Sequence, residues 1–303
     1  MHRFLPLLVI FCACSVGELA EPTDPATPAP AGELTAFVFA HGFASRAADA
    51  FDDEIIAALE ADGRTVYRTN VPSIEGLAVR GPAFADELDR VLADSGADRV
   101  HIIAHSMGGL DARYAISKLG YGDRVASLTT MSTPHRGSLI ADYSLGLIGT
   151  EDDAVSAFDA FISLVGDVDP DALRRNLEDL SVARADAFNA DAQDDPNVLY
   201  QSFSGLSSVW GIVYGDEGEA CDSPGGTLAL PDPTASSILL VAAAPFVGDG
   251  PADGVVPVSS ARWGNFRGCL AVDHTTETGT IQAETSPLDM LSFYRELANQ
   301  LAP

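Results

Sequence analysis

The stretch RVHIIAHSMGGLDARY, residues 99–114, constrains this chain more than any other. Val100, Ile102, Ile103 and Ala104 make an apolar run of the kind expected of a strand buried on both faces. From Leu110 the apolar spacing becomes helical, through Tyr114, Ala115 and Leu119, and Gly120 supplies a stop. Almost no residues remain in which to turn from one pattern to the other. The turn must be sharp, and Ser106 sits at its tip. Ala104 and Gly108 are small, which lets such a turn close without side chains colliding across it.

The pentapeptide Ala104-His105-Ser106-Met107-Gly108 resembles the nucleophile elbow of the α/β-hydrolase family, with Ala in place of the first Gly of Gly-x-Ser-x-Gly. The remaining pattern agrees with that resemblance. Residues 34–45 read as a strand ending in a loop, 49–63 as a helix, 65–71 as a strand and 80–96 as a helix with Leu88, Val91 and Leu92 on one face. The elbow strand and helix follow, then a strand over 124–134. Alternation of this kind predicts a mostly parallel central sheet with helices on both faces. Residues 138–196 break the rhythm with an amphipathic stripe of Val155, Phe158, Phe161, Ile162 and Val165. In hydrolases of this fold an insertion at that position is a helical lid. A strand over 197–205 and a closing helix over 288–301 complete the domain, which is expected to span 34–303.

Composition narrows the partners. An apolar fraction of 47% over 303 residues permits a large core. The net charge of −27 repels nucleic acid and weakens electrostatic docking on anionic lipid. Residues 1–20 read as a secretory signal, with one arginine, an apolar run from Phe4 to Phe11 and small residues beyond. Cys14 loosely resembles the lipidated cysteine of a bacterial lipoprotein signal, which leaves a lipid anchor and simple cleavage both open. Residues 21–33 are a Pro/Ala/Thr linker. The expected location is therefore secreted or tethered to the cell envelope. In an exported chain Cys221 and Cys269 are expected to pair, a bridge worth roughly 4 kcal/mol in the chain-entropy model.

A serine hydroxyl needs a base within reach, and the base needs an acid to hold it. In the fold that the elbow resembles, the chain order is Ser, acid, His. His2 is in the leader, and His41 and His101 precede the elbow. His105 adjoins Ser106, and His135 comes too early. His274 alone comes late enough. Asp253, followed by Gly254, reads as a strand-end acid. Asp249 is a rival on the same Gly-rich loop, and Asp273 would have to reach round to its neighbour's ring. The tetrahedral intermediate needs N–H donors; Met107, at the helix N-terminus, and Phe43, next to Gly42, are the candidates.

AHGF, AHSMGG, STPHRGS, LSVARADAFNA, YQSFSG and ADGVVPVSSARWG occur in an order that resembles bacterial secreted triacylglycerol lipases of the Pseudomonas/Burkholderia type. That resemblance implies Ser106, Asp253 and His274 as a triad, and Phe43 and Met107 as oxyanion donors. Two features depart from it. The family's calcium would fall to Asp232 in LPDP, but Thr276 stands where its second aspartate should be. Cys221 also lies after the YQSFSG stretch, whereas the family's first cysteine lies before it. The expectation is an ester hydrolase, a triacylglycerol lipase, that needs no cofactor and meets lipid or ester substrate at an interface. A short-chain esterase or thioesterase, an acyltransferase on the same triad, and a non-catalytic surface lipoprotein are the alternatives.

Overall fold

Alternation along the first strand sets the layers. In β1 (Thr35–Ala40), Phe37 and Phe39 join one buried cluster, and Ala36, Val38 and Ala40 join another on the opposite face. The structure, a computed structural model, describes residues 34–45, 50–152, 168–206, 221, 247, 250–280 and 288–302. With β2 (Val66–Arg68), β3 (Arg99–His105), β4 (Val125–Met131), β5 (Leu199–Gly205) and β6 (Asn265–Leu270), β1 forms a sheet of six strands. Their order is β2-β1-β3-β4-β5-β6, and every neighbouring pair is parallel.

Helices cover both faces, as the alternation of elements predicts. On the phenylalanine side, α1 (Asp53–Ala61) contributes Ile55 and Leu59. The closing helix α8 (Met290–Leu301) adds Phe293, Tyr294 and Leu297 to the same cluster. Each of these helices starts on an aspartate: the side chains of Asp52 and Asp289 accept from the N–H of Glu54 and Leu291. On the other face lie α2 (Leu77–Ser95), with Phe84, Leu88 and Val91, and α3 (Gly108–Arg113), with Ala112. Helix α3 runs on as a π turn through Tyr114–Lys118 before Gly120, at φ 79°, stops it.

The boundaries differ from expectation where tertiary contacts set them. α2 begins at Leu77, before the Arg80 expected from the pattern. The extra turn is capped from outside, because Asp179 Oδ2 accepts the N–H of Leu77 at 2.7 Å. No local pattern announces a cap supplied so far along the chain. β2 is shorter than 65–71, ending at Arg68, and the N–H of Thr69 donates to Phe39 O.

Within 138–196 the structure shows α4 (Leu139–Ser144), α5 (Pro170–Leu180) and α6 (Val182–Asp191). Leu173, Leu177 and Leu180 of α5 pack on Met107, Leu110 and Ile140, so these helices sit directly over the elbow. The stripe from Val155 to Val165 lies outside the described residues, as do the leader, the linker and Asp232. A four-residue helix, α7 (Val258–Ala261), precedes β6. Cys221 and Cys269 are both fully buried, beside Leu206, Val258 and Phe266, with their sulfurs 1.99 Å apart.

Candidate active site

The site lies at the carboxyl ends of the central strands. Between β1 and β3 the sheet changes direction of growth, which in open α/β sheets opens a crevice at those ends. Ser106 follows β3 directly and has φ +55°. A side chain held in that region costs on the order of 1 kcal/mol or more. The neighbours hold it there. Ser106 N–H donates to Met131 O at 2.9 Å, and Thr133 Oγ1 donates to Ser106 O at 2.7 Å. Gly108 allows the turn to close: a Cβ there would lie 2.7 Å from the carbonyls of Ala40 and His41.

His274 lies just beyond β6 and meets Ser106 across a long sequence distance. Its Nε2 is 3.0 Å from Ser106 Oγ, and its Nδ1 is 2.6 Å from Asp253 Oδ2. The backbone joins the same pair, with His274 N–H donating to Asp253 O at 3.0 Å. Asp253 is not at the end of a described strand, as the sequence suggested. It occupies a short turn in which Ala252 bridges Pro257. That turn gives Asp253 Oδ1 two further donors, the N–H groups of Val255 at 2.8 Å and Val256 at 2.7 Å. Gly254, at φ 96°, makes this wrapping feasible. Burial alone would raise the Asp253 carboxyl. The His274 charge and hydrogen bond, with the N–H of Val256, hold it below the usual range instead.

Asp273 turns away from the ring. Its Oδ1 accepts from the N–H groups of Thr275 and Thr276 at 3.0 and 2.9 Å. Thr276 is absorbed into the same turn: its Oγ1 accepts from Asp273 N–H and donates to Asp273 O. It offers no carboxylate to a cation, and Asp232, the other expected ligand, lies outside the described residues. Asp249 lies outside the described residues.

The two candidate N–H donors come from segments that touch. Met107 precedes the first residue of α3 and is fully buried. The first N–H groups of a helix have no partner within it, and the dipole adds positive charge there. Gly42 abuts the elbow so closely that a Cβ would lie 2.7 Å from Ser106 Cβ and 3.2 Å from its Oγ. Phe43 follows directly, at the turn that Ala44 N–H pins to Ser73 O at 2.8 Å. Burial pushes the imidazoles of His41 and His101 down to about 4 and that of His105 down to about 3, so all three are neutral at pH 7.

Behind the histidine stands a group that the sequence did not single out. Glu277 is fully buried, and Ser132 Oγ donates to its Oε1. Its Oε2 is 3.4 Å from His105 Nε2. Burial, and then the nearby Asp253 charge, drive its carboxyl well above the usual range. Ser132 also accepts the N–H of Gly205 at 2.9 Å and has φ 44°, a second strained serine one strand along. His135, buried and stacked on Trp263 with ring centroids 5.1 Å apart, is structural.

Chemically, the arrangement holds a hydroxyl beside an imidazole whose other nitrogen faces an ionised carboxylate. It can take the hydroxyl proton and stabilise the imidazolium formed. A family model described as the alpha/beta hydrolase fold matches residues 35–148. Triacylglycerol lipase 2 of Saccharomyces cerevisiae is 29% identical over 273 residues, 80% of this chain and 71% of that protein. A triacylglycerol lipase of Burkholderia plantarii is 34% identical over 143 residues, which is 43% of this chain and 39% of the relative's length. Among solved structures, the mature form of a Bacillus licheniformis lipase aligns with TM-score 0.62 at 17% identity, covering 91% of this chain and 96% of that one. The fold is the α/β hydrolase fold.

Proposed function

We infer that the chain is a serine ester hydrolase of the lipase type on the α/β hydrolase fold, working through an acyl-enzyme on Ser106. Ser106 Oγ attacks the acyl carbon while His274 Nε2 takes its proton. Asp253 holds the ring in the needed tautomer. Met107 and Phe43 N–H groups meet the developing oxyanion. His274 then protonates the departing alcohol. Water, deprotonated by the same ring, attacks the acyl carbon, and as the bond to Ser106 Oγ breaks His274 returns that proton to it and the carboxylic acid departs. Every proton has a named carrier, so the scheme calls for no cofactor. The observation that carries it is the hydrogen-bonded chain from Ser106 through His274 to Asp253, anchored at a serine in the left-handed region.

Triacylglycerols are the proposed substrate class, supported by the names of the relatives and by the ordered motifs of the Pseudomonas/Burkholderia type. Export, with or without a lipid anchor at Cys14, and a Cys221–Cys269 disulfide in the mature protein belong to the same reading, as does a lid within 138–196. Rates on p-nitrophenyl esters of rising chain length test the substrate. Activity rising toward long chains, with a jump once an emulsion forms, supports a lipase. Activity confined to short soluble chains makes it an esterase. A fluorophosphonate that fails to label Ser106 would remove the mechanism altogether.

A further inference from the structure

Arg80 and Asp111 form an ion pair whose side chains are both 0% exposed. Arg80 Nε sits 3.1 and 3.0 Å from the two Asp111 oxygens, and one Nη donates to Asp111 Oδ2 at 2.6 Å. The remaining donors go to backbone. Arg80 reaches His41 O at 3.1 Å, Pro72 O at 2.7 Å and, more weakly, Ser73 O at 3.4 Å. These carbonyls are not scattered. His41 immediately precedes Gly42-Phe43, and Ser73 O is the acceptor for Ala44 N–H on the far side of that loop. Asp111 belongs to α3, whose N-terminus carries Met107.

One guanidinium thus ties both ends of the 41–44 loop to the helix that follows Ser106. Two charges taken fully out of water are a costly way to hold two elements together. Apolar residues of similar volume often serve stability as well or better. What an apolar pair does not supply is a fixed angle between donor and several carbonyls.

We propose that Arg80, held by Asp111, is a positioning group that sets the Phe43 N–H against the Met107 N–H, so that both point at one oxyanion. The proposal rests on the ester-hydrolase reading of the site. It assigns Arg80 no contact with substrate. Its effect passes through the His41 carbonyl and the Ser73–Ala44 hydrogen bond.

The test uses the full chain with the paired substitution Arg80→Met/Asp111→Leu, which removes both charges and keeps the bulk. Melting followed by circular dichroism should stay at or above wild type. With p-nitrophenyl butyrate, kcat should fall about 10- to 100-fold, a misplaced rather than deleted oxyanion donor, while KM stays within about twofold. Phenylboronic acid, which forms a tetrahedral adduct on the serine, should lose affinity by the same factor. Arg80→Lys, which keeps the charge but not the fork, should show the same split and serves as the readout if the double variant does not fold. A folded double variant that keeps its kcat and its boronate affinity overturns the proposal alone. Wild-type protein that hydrolyses no ester and takes no label at Ser106 overturns the reading of the site, and this proposal with it.

Discussion

On one side of the site, Ser106 hangs between β3 and α3, contiguous in sequence and buried along almost their whole length. On the other, Asp253 and His274 come from turns that flank β6, and His274 reaches Ser106 over a sequence separation of 168 residues. The first side is held by chain geometry: a left-handed serine, a glycine pressed on two carbonyls, a strand and a helix. The second is held by polar wiring: two backbone N–H groups on Asp253 Oδ1, a backbone bond back from His274, and a buried Glu277 behind. A part held by sterics fails abruptly when its shape changes. A part held by hydrogen bonds fails by degrees, and it responds to pH.

The sharpest way to break the contrast is Ser106→Ala. Removing a nucleophile of this kind costs on the order of 10⁶-fold in kcat, and the fold should survive because Cβ and φ are unchanged. Fluorophosphonate labelling, followed by mass, should vanish with the activity. Label that persists would move the chemistry off the elbow. Asp253→Asn comes next, with an expected loss on the order of 10⁴-fold in kcat. Asp249→Asn is its control and should be near normal, each variant being checked by circular dichroism. If the control loses activity and Asp253→Asn does not, the acid has been misassigned, although Ser106 and His274 stand.

Gly42→Ala probes the steric side without removing a reacting atom. Its methyl would lie 2.7 Å from Ser106 Cβ, closer than any such contact tolerates. The loop must retreat and take the Phe43 N–H with it. Losing one oxyanion donor costs about 10²- to 10³-fold in kcat, and that loss is expected here with little change in KM. Steady-state kinetics on a short soluble ester decide it. A variant within twofold of wild type would mean that the loop does not supply the second donor.

How much of this was legible before folding follows the same division. The elbow was readable because its requirements are local: small residues on either side of Ser106, an apolar run before it and helical spacing after it. The alternation of strand and helix gave the sheet for the same reason. His274 was found by chain order and Asp253 by its Asp-Gly turn, which among the described residues carries a single bridge between Ala252 and Pro257. Glu277, Ser132, Arg80 and Asp111 carry no local signal. Glu277 reads as one more acid in a chain of −27, and Arg80 as one more helix surface charge. Only the fold shows that both are buried.

The gentlest prediction sets the two sides against each other through pH. On the elbow side, the buried imidazoles of His41 and His105 are pushed down to about 4 and about 3. Unfolded, each would bind a proton near 6.5, so the unfolded state holds more protons between those limits. Stability is therefore lost there as pH falls below about 6.5. Glu277 runs the other way. Folded, it keeps its proton well above 4.5, the value it would have unfolded, so the native state holds the extra proton. Its contribution is lost as pH rises above 4.5, by up to about 1.4 kcal/mol for each pH unit in the window. Glu277→Gln keeps the shape and cannot ionise. Melting temperatures measured from pH 5 to pH 9 should then decline less steeply toward alkali in the variant than in wild type. The acid-side decline, set by the histidines, should be steeper in the variant, which lacks the opposing slope of Glu277 above 4.5. Parallel curves on the alkaline side would show that Glu277 is ionised in the folded protein, and that the histidine side of the site is wired differently from this account.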